Sequence, residues 1–560
     1  MILWCTLLVF LFSTLVCHAV ARTVPEQPGG IHLPLYRKEV VRREKVFQPR
    51  DGGVASIGIG DYLDVTYNVL VQVGGVQTPL VLDTGSADLW VISSNCTAAQ
   101  CKSATVPLYS DKTFQPAGQQ VQLLYGDSHT GTQASGPIGK DTVGIANLTI
   151  ANQYLAAIVD TNTTVLETGS AGILGFGFPA ISVLWRQLLQ AQINNTPPAR
   201  RALLPDFTQR RVPFPNLDFL RPQGHEKRQN SSISPVVVSS FAQYGPLFTR
   251  LINQSVLAEP MFAITLQRDS VDIGGNVGML SIGELPSGID TNSLTWMPLR
   301  EYPYSQGGLP APPDAPNEVY PLVWEIPIDD VYFDGTKLAR SALSPPGITL
   351  SALIDTGNSL IRGPQDVIAQ ITSSLGGDNF DCSVAHNLTF EIGGKPFAVD
   401  PRDFIHQTFT DSVEQCSAAL AITDPPGQGF YYSWSLGDPF LKSVLAAFHY
   451  GNISYPSQDP PRIGLLSTIP SDAAKRLEAA VAAAADDGGN LPVTSNSAPS
   501  GTFVATQTGI GGVPQATSLT DSDSESPTPN AAVRVPCPSS LRTFSLVYAM
   551  AIVAAAFVSW

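Results

Sequence analysis

Two carboxylates carry the chemistry that this sequence can do. Asp83 ends an apolar run in Val81-Leu82-Asp83-Thr84-Gly85-Ser86-Ala87-Asp88-Leu89-Trp90, and Asp355 ends another in Leu353-Ile354-Asp355-Thr356-Gly357-Asn358-Ser359-Leu360. In each copy a small residue and a glycine follow the Asp at once. The glycine allows a tight turn, with no Cβ in the way. Each carboxylate is therefore expected at the tip of a loop held by buried apolar chain. If the two halves of the chain build similar lobes, the loops meet and the carboxylates touch. Two touching carboxylates do not both ionise easily, so they share a proton. One then serves as the base that activates a water, and the other as the acid that protonates a scissile carbonyl. A single Asp-Thr-Gly suits any strand-ending turn. Two copies behind apolar strands, each with a Ser within two positions of its glycine, make the pattern specific.

The pair resembles the two active-site signatures of pepsin-family aspartic proteases. The resemblance covers residues 33–467 apart from an inserted stretch. It implies a mostly β, bilobal pepsin-like fold with pseudo-twofold symmetry and the active site in the cleft between lobes. Leu123-Leu124-Tyr125-Gly126-Asp127-Ser128-His129-Thr130-Gly131 resembles the family's flap, a hairpin that closes over substrate. Tyr125 is then the flap tyrosine, with Trp90 placed to receive its hydroxyl. Ser86, Trp90, Tyr125 and Asn358 are expected to support the dyad, and Gly85, Gly126, Asp127 and Gly357 to contact substrate. Several fungal family members carry Asp where Asp127 stands, and a carboxylate there can pair with a basic residue just before the scissile bond. A solvated turn Asp is the alternative. One departure concerns Asn358, where most of the family has Thr or Ser. That position normally donates to the outer oxygen of the second Asp, and an Asn amide can also donate, from a longer side chain. Gly172-Ile173-Leu174-Gly175-Phe176-Gly177 resembles the strand that threads beside the first active loop, and Trp434-Ser435-Leu436-Gly437-Asp438 holds the matching place.

The chain has 560 residues, 43% hydrophobic and 14% charged, with net charge −15. That balance argues against nucleic acid as a partner. No Cys/His cluster suggests a metal and no cofactor is called for. Residues 1–21 read as a secretory signal, an apolar run ending in Ala19-Val20-Ala21, though without the usual basic start. Of seven cysteines, Cys5 and Cys17 fall in that signal and Cys537 precedes the apolar tail. The remaining four allow three pairings. Cys96–Cys101 and Cys382–Cys416 are favoured, since each closes a loop within one lobe and family members resemble this at both places. Asn-x-Ser/Thr sequons begin at Asn95, Asn147, Asn162, Asn194, Asn230, Asn253, Asn387 and Asn452, as in a secreted glycoprotein.

The remaining organisation follows from composition. Residues 22–51 are basic, and Leu33-Pro34-Leu35-Tyr36-Arg37-Lys38 resembles the start of a pepsinogen-type prosegment. A cationic strap of this kind lies over an acidic cleft at neutral pH and loosens in acid; a disordered basic linker is the alternative. The first catalytic lobe spans 52–300. Within it, 194–235 read as a Pro/Arg-rich insertion without periodicity, exposed and open to cutting at Lys227-Arg228, Arg210-Arg211 or Arg200-Arg201, which would leave two associated chains. A connector follows at 301–318, then the second lobe at 319–467. Residues 472–487 are helix-prone, but an isolated helix of that length is marginal. Residues 468–540 read as a Ser/Thr/Pro/Gly-rich stalk. The apolar end, 541–560, with Asn530-Ala531-Ala532 and a polar spacer before it, matches a glycosylphosphatidylinositol signal with attachment at Asn530; a single-span tail anchor is the alternative. Together these features predict a monomeric, secreted aspartic endopeptidase zymogen acting on proteins or peptides at acidic pH, held at the outer face of the plasma membrane or cell wall. It resembles the anchored fungal yapsins. The competing readings are a catalytically weak or inactive pepsin-fold surface binding protein, and an acidic glycosidase, which leaves the repeated Asp-Thr-Gly loops unexplained.

Overall fold

The apolar runs before both aspartates become short central strands. The computed structural model describes residues 31–35, 66–126, 131–146, 148–194, 230–266, 278–286, 288–427, 430–491, 505–508 and 514–516. In the first lobe an eight-stranded sheet holds β1 (Val76–Asp83), β2 (Leu89–Ile92), β3 (Gln115–Gly126), β4 (Gly131–Ile145) and β5 (Gly172–Gly175). Strand β5 lies between the chain entering and the chain leaving the Asp83 loop. It runs parallel to β1, with Asp83 opposite Gly175, and antiparallel to β2, with Leu89 opposite Leu174. β2 (Leu-Trp-Val-Ile) and β5 (Gly-Ile-Leu-Gly) are buried at every position, which suits continuously apolar sequence rather than an alternating pattern.

The second lobe repeats the construction. Strands β6 (Ser351–Ile354) and β8 (Trp434–Leu436) run parallel, with Ile354 opposite Leu436. Strand β7 (Ile361–Gly363) lies antiparallel on the other side of β8, with Ile361 opposite the same Leu436. The chain is thus mostly β and bilobal. A six-stranded sheet joins the halves: Met261–Thr265 pairs with Val444–His449, so Phe262 stacks on Phe448 with ring centroids 4.6 Å apart. Trp324 and Tyr450 both donate across the join to the Phe176 carbonyl, at 2.9 and 2.5 Å. The outer edge of this sheet is Ile31–Leu35, from the prosegment-like stretch, with Leu33 opposite Leu280. Pro34 is tolerated there because an edge strand leaves one row of N–H groups unused. Disulfides join Cys96 to Cys101 and Cys382 to Cys416, one in each lobe.

Two boundaries and one stretch differ from the reading of the sequence. The insertion was expected to run to 235, but a helix covers Asn230–Tyr244. It is held by tertiary contacts: Trp185 donates to Ser240 at 2.8 Å and its ring lies 5.7 Å from that of Phe241. Such packing overrides the poor helix propensity of Val236-Val237-Val238. At its start Asn194 ends a helix, Val183–Asn194, and residues 195–229 lie outside the described residues. Second, the stalk was expected from 468, yet the chain stays on the second lobe to Leu491. Helix Ala473–Asp486 buries Leu477, Val481 and Ala484. Beyond it, Leu491 donates to Gln407 and Asn490 exchanges hydrogen bonds with Asp411. Docking supplies the stability that an isolated helix lacks. Leu477→Ala is expected to destabilise the protein by about 2–4 kcal/mol, read as a lower urea midpoint; an unchanged midpoint would mean the helix docks without contributing. Third, within the expected stalk Ala505–Thr508 pairs with Pro514–Ala516, a hairpin that composition alone concealed.

Candidate active site

The two Asp-Thr-Gly loops meet tip to tip. The threonines lock them: Thr84 N donates to Thr356 Oγ1 and Thr356 N to Thr84 Oγ1, both at 3.0 Å. Each hydroxyl then donates to the backbone behind the other loop, Thr84 to Ile354 O at 2.8 Å and Thr356 to Leu82 O at 2.7 Å. The glycines serve a purpose other than the tight turn read from the sequence. Neither Gly85 nor Gly357 has a left-handed φ. Instead a Cβ on Gly85 would sit 2.5 Å from Asp355 Oδ1, and one on Gly357 would collide with the Asp83 carboxylate. Each loop is bare so that the other loop's carboxylate can approach.

The two carboxyls lie close together, both within reach of the bare Gly357, but are not equivalent. Asp83 is buried and accepts from Gly85 N at 2.8 Å, Ser86 N at 3.2 Å and Ser86 Oγ at 2.5 Å. Asp355 is half-buried and accepts one backbone bond, from Gly357 N at 2.9 Å. Burial raises both pKa values; that of Asp355 reaches about 7, lifted further by the charge on Asp83. The richer donor set favours the charge on Asp83, which leaves the shared proton with Asp355. The pair therefore presents a base and an acid side by side.

A hydrogen-bonded chain runs from Asp83 to Tyr125 and Trp90. Ser86 donates to Asp83, the Tyr125 hydroxyl bonds Ser86, and Trp90 Nε1 donates to that hydroxyl at 2.6 Å. The direction reverses the expectation for Trp90, because an indole N–H can only donate. Gly126 ends β3 at the mouth of the cleft with φ of 97°. Asp127 lies outside the described residues.

Asn358 does not support the dyad as expected. Its amide donates to Ser435 Oγ at 2.9 Å and Ser435 O at 3.3 Å, and its Oδ1 accepts from Leu360 N and Arg362 Nε. The longer side chain reaches past Asp355 to the next strand, so Asp355 gains no side-chain donor from it. Arg362 acts in its place at a distance, its positive charge pulling the Asp355 pKa down.

The cleft, about 370 Å³, is lined by Asp83, Tyr125, Asp355 and Asn358, and also by residues the sequence did not single out. Thr84 and Thr356, buried behind the cleft rather than lining it, could have been found from their repetition, since a merely small residue need not be Thr twice. Asp88 caps helix α1 (Val183–Asn194), accepting from Ser182 Oγ, Val183 N and Leu184 N. Arg186 and Arg362 carried no local motif. Among sequon residues, Asn95, Asn162, Asn253 and Asn387 are exposed, and Asn194 and Asn452 half-buried. Asn147, the Asn230 side chain and Asn530 lie outside the described residues.

A family model described as eukaryotic aspartyl protease matches residues 66–195 and 235–455. Its interruption falls on the inserted stretch. A pregnancy-associated glycoprotein of Equus caballus is 27% identical over 75% of this chain and 85% of its own length. Cathepsin E of Mus musculus is 25% identical over 73% and 82%. Cathepsin D of Dictyostelium discoideum is 24% identical over 71% and 84%.

Proposed function

The chain belongs to the eukaryotic aspartyl protease family, and we propose that this aspartic-type endopeptidase works in acid at the outer cell surface, after synthesis as a zymogen. The observation that carries the catalytic reading is that Asp83 and Asp355, on two loops locked tip to tip, line one cleft with unequal donor sets. A water between the carboxyls gives a proton to Asp83 as its oxygen attacks the peptide carbonyl. Asp355 protonates the carbonyl oxygen, and the gem-diol collapses with proton return to the leaving amine. The flap tyrosine, fixed by Trp90, closes the site from above. The test is cleavage of a denatured protein by the secreted proform from about pH 3 to pH 7, with and without pepstatin. Pepstatin-insensitive cleavage would assign it to another enzyme.

Support for anchoring is the sequence after 491: a Ser/Thr-rich stretch, the small residues at 530–532 and the apolar tail. Among the described residues no helix is long and apolar enough to cross a membrane. A phospholipase specific for phosphatidylinositol anchors is expected to release the protein from cells, and deletion of 541–560 to send it to the medium. Retention in the detergent phase after complete lipase treatment would favour a spanning tail. Cutting within 195–229 would leave two associated chains, since both pieces keep partners in the first lobe; denaturing gels of the deglycosylated protein decide this.

A further inference from the structure

Helix α1 sends a cation into the cleft. Arg186, in its first turn, lines the same cavity as Asp83, Leu123 and Tyr125. Among the described residues its guanidinium makes one hydrogen bond, from Nε to Ser182 O at 3.4 Å, near the limit for such a bond. Asp88 supplies a nearby charge but no hydrogen bond, because its oxygens already serve Ser182 Oγ, Val183 N and Leu184 N. Among the described residues the rest of a five-donor planar fork has no hydrogen-bond partner, in a cavity that Leu123, Ile181 and Val183 also line. The side chain is half-buried. A peptide in the cleft would cover what remains, and a covered guanidinium whose donors are unmet is strongly disfavoured, even with the Asp88 charge nearby.

We propose that Arg186 is a specificity-determining residue that binds the carboxylate of an Asp or Glu side chain of the peptide substrate. The proposal rests on the endopeptidase reading above. A guanidinium fork matches a carboxylate with two parallel bonds, which neither an amide nor a lysine can offer in return. The pocket keeps its sign in acid. Arg186 stays cationic even though burial lowers its pKa, while burial moves Asp88 towards its neutral form. The same cation holds a substrate carboxyl ionised at pH values where it would otherwise take a proton. Arg362, on the opposite wall, is instead tied to Asn358 and to the Ile422 carbonyl.

The experiment compares peptides that differ by Glu or Gln at one position at a time around the scissile bond. At one position the full-length enzyme is expected to favour Glu by roughly tenfold to a hundredfold in kcat/KM. Arg186→Met brings that ratio to near one, and Arg186→Glu turns the preference at the same position towards Lys. A ratio is read because damage to the fold lowers both rates together. Equal rates for Glu and Gln at every position, or a preference that survives Arg186→Met, overturn the proposal. Cleavage of denatured protein separates the two readings. If it occurs with flat ratios, the anion pocket alone fails; if it is absent, the endopeptidase reading fails and the pocket with it.

Discussion

Asp83→Asn and Asp355→Asn are each expected to lower kcat/KM by roughly a thousandfold or more. An amide at either place keeps the shape of the loop but cannot share a proton with its neighbour. At position 83 it removes the base that Ser86 and two backbone N–H groups hold in its charged form. At position 355 it removes the acid. Folding should survive, because the loops are joined by Thr84 and Thr356 rather than by the carboxylates. Stability should even rise near neutral pH. Both carboxyls have pKa values raised by burial, so the folded state binds more protons than the unfolded chain above about pH 4. Stability contributed by the pair is therefore lost as pH rises towards 7, and an Asn variant escapes that loss. Melting at pH 4 and pH 7, beside the rate measurement, tests both statements. Substantial cleavage by either well-folded variant would remove the dyad from its assigned role.

The dyad was legible because its signal is local and repeated: five or six residues, twice, each behind an apolar strand. The threading strands at 172–175 and 434–436 were placed by family resemblance, and the structure puts each beside its Asp loop. Other parts depended on distance. Helix Ala473–Asp486 reads as marginal in isolation, and only the second lobe's surface, with Gln407 and Asp411 binding the chain beyond it, makes it part of the catalytic body. The positions of Arg186 and Arg362 could not be read, since one lies on a helix and one on a short strand and no motif points either into the cleft. Asn358 misled through its family position. Knowing that the place normally donates to the second Asp did not reveal that Ser435 and Arg362 would claim the amide. The role of the glycines also needed both lobes, because each makes room for a carboxylate from the other half of the chain.

Cleavage is expected to fall as pH rises through about 7, by close to tenfold per unit beyond it. The active dyad holds one proton, and the group that loses it last is Asp355. Burial first and the charge of Asp83 second lift its pKa to about 7. Below that value Asp355 can protonate the carbonyl; above it both carboxylates are charged and no acid remains. The acid limb belongs to the other step, in which Asp83 takes a proton and stops acting as base. Its midpoint also lies above the ordinary 3.8, because burial outweighs the Ser86 and backbone bonds. Arg362 supplies the lever that distinguishes this account from simple alkaline unfolding. Its charge stabilises ionised Asp355, so Arg362→Met is expected to move the alkaline limb upward by roughly half a unit to one unit. Asn358→Thr should act oppositely if the shorter hydroxyl turns to Asp355, since a donor to the charged form lowers its pKa. The measurement is kcat/KM from about pH 3 to pH 9 at fixed ionic strength, with circular dichroism at each pH to show that the fold persists. An alkaline limb that stays in place or moves down in Arg362→Met would mean that Asp355 does not set it, and the assignment of the shared proton would have to be reversed.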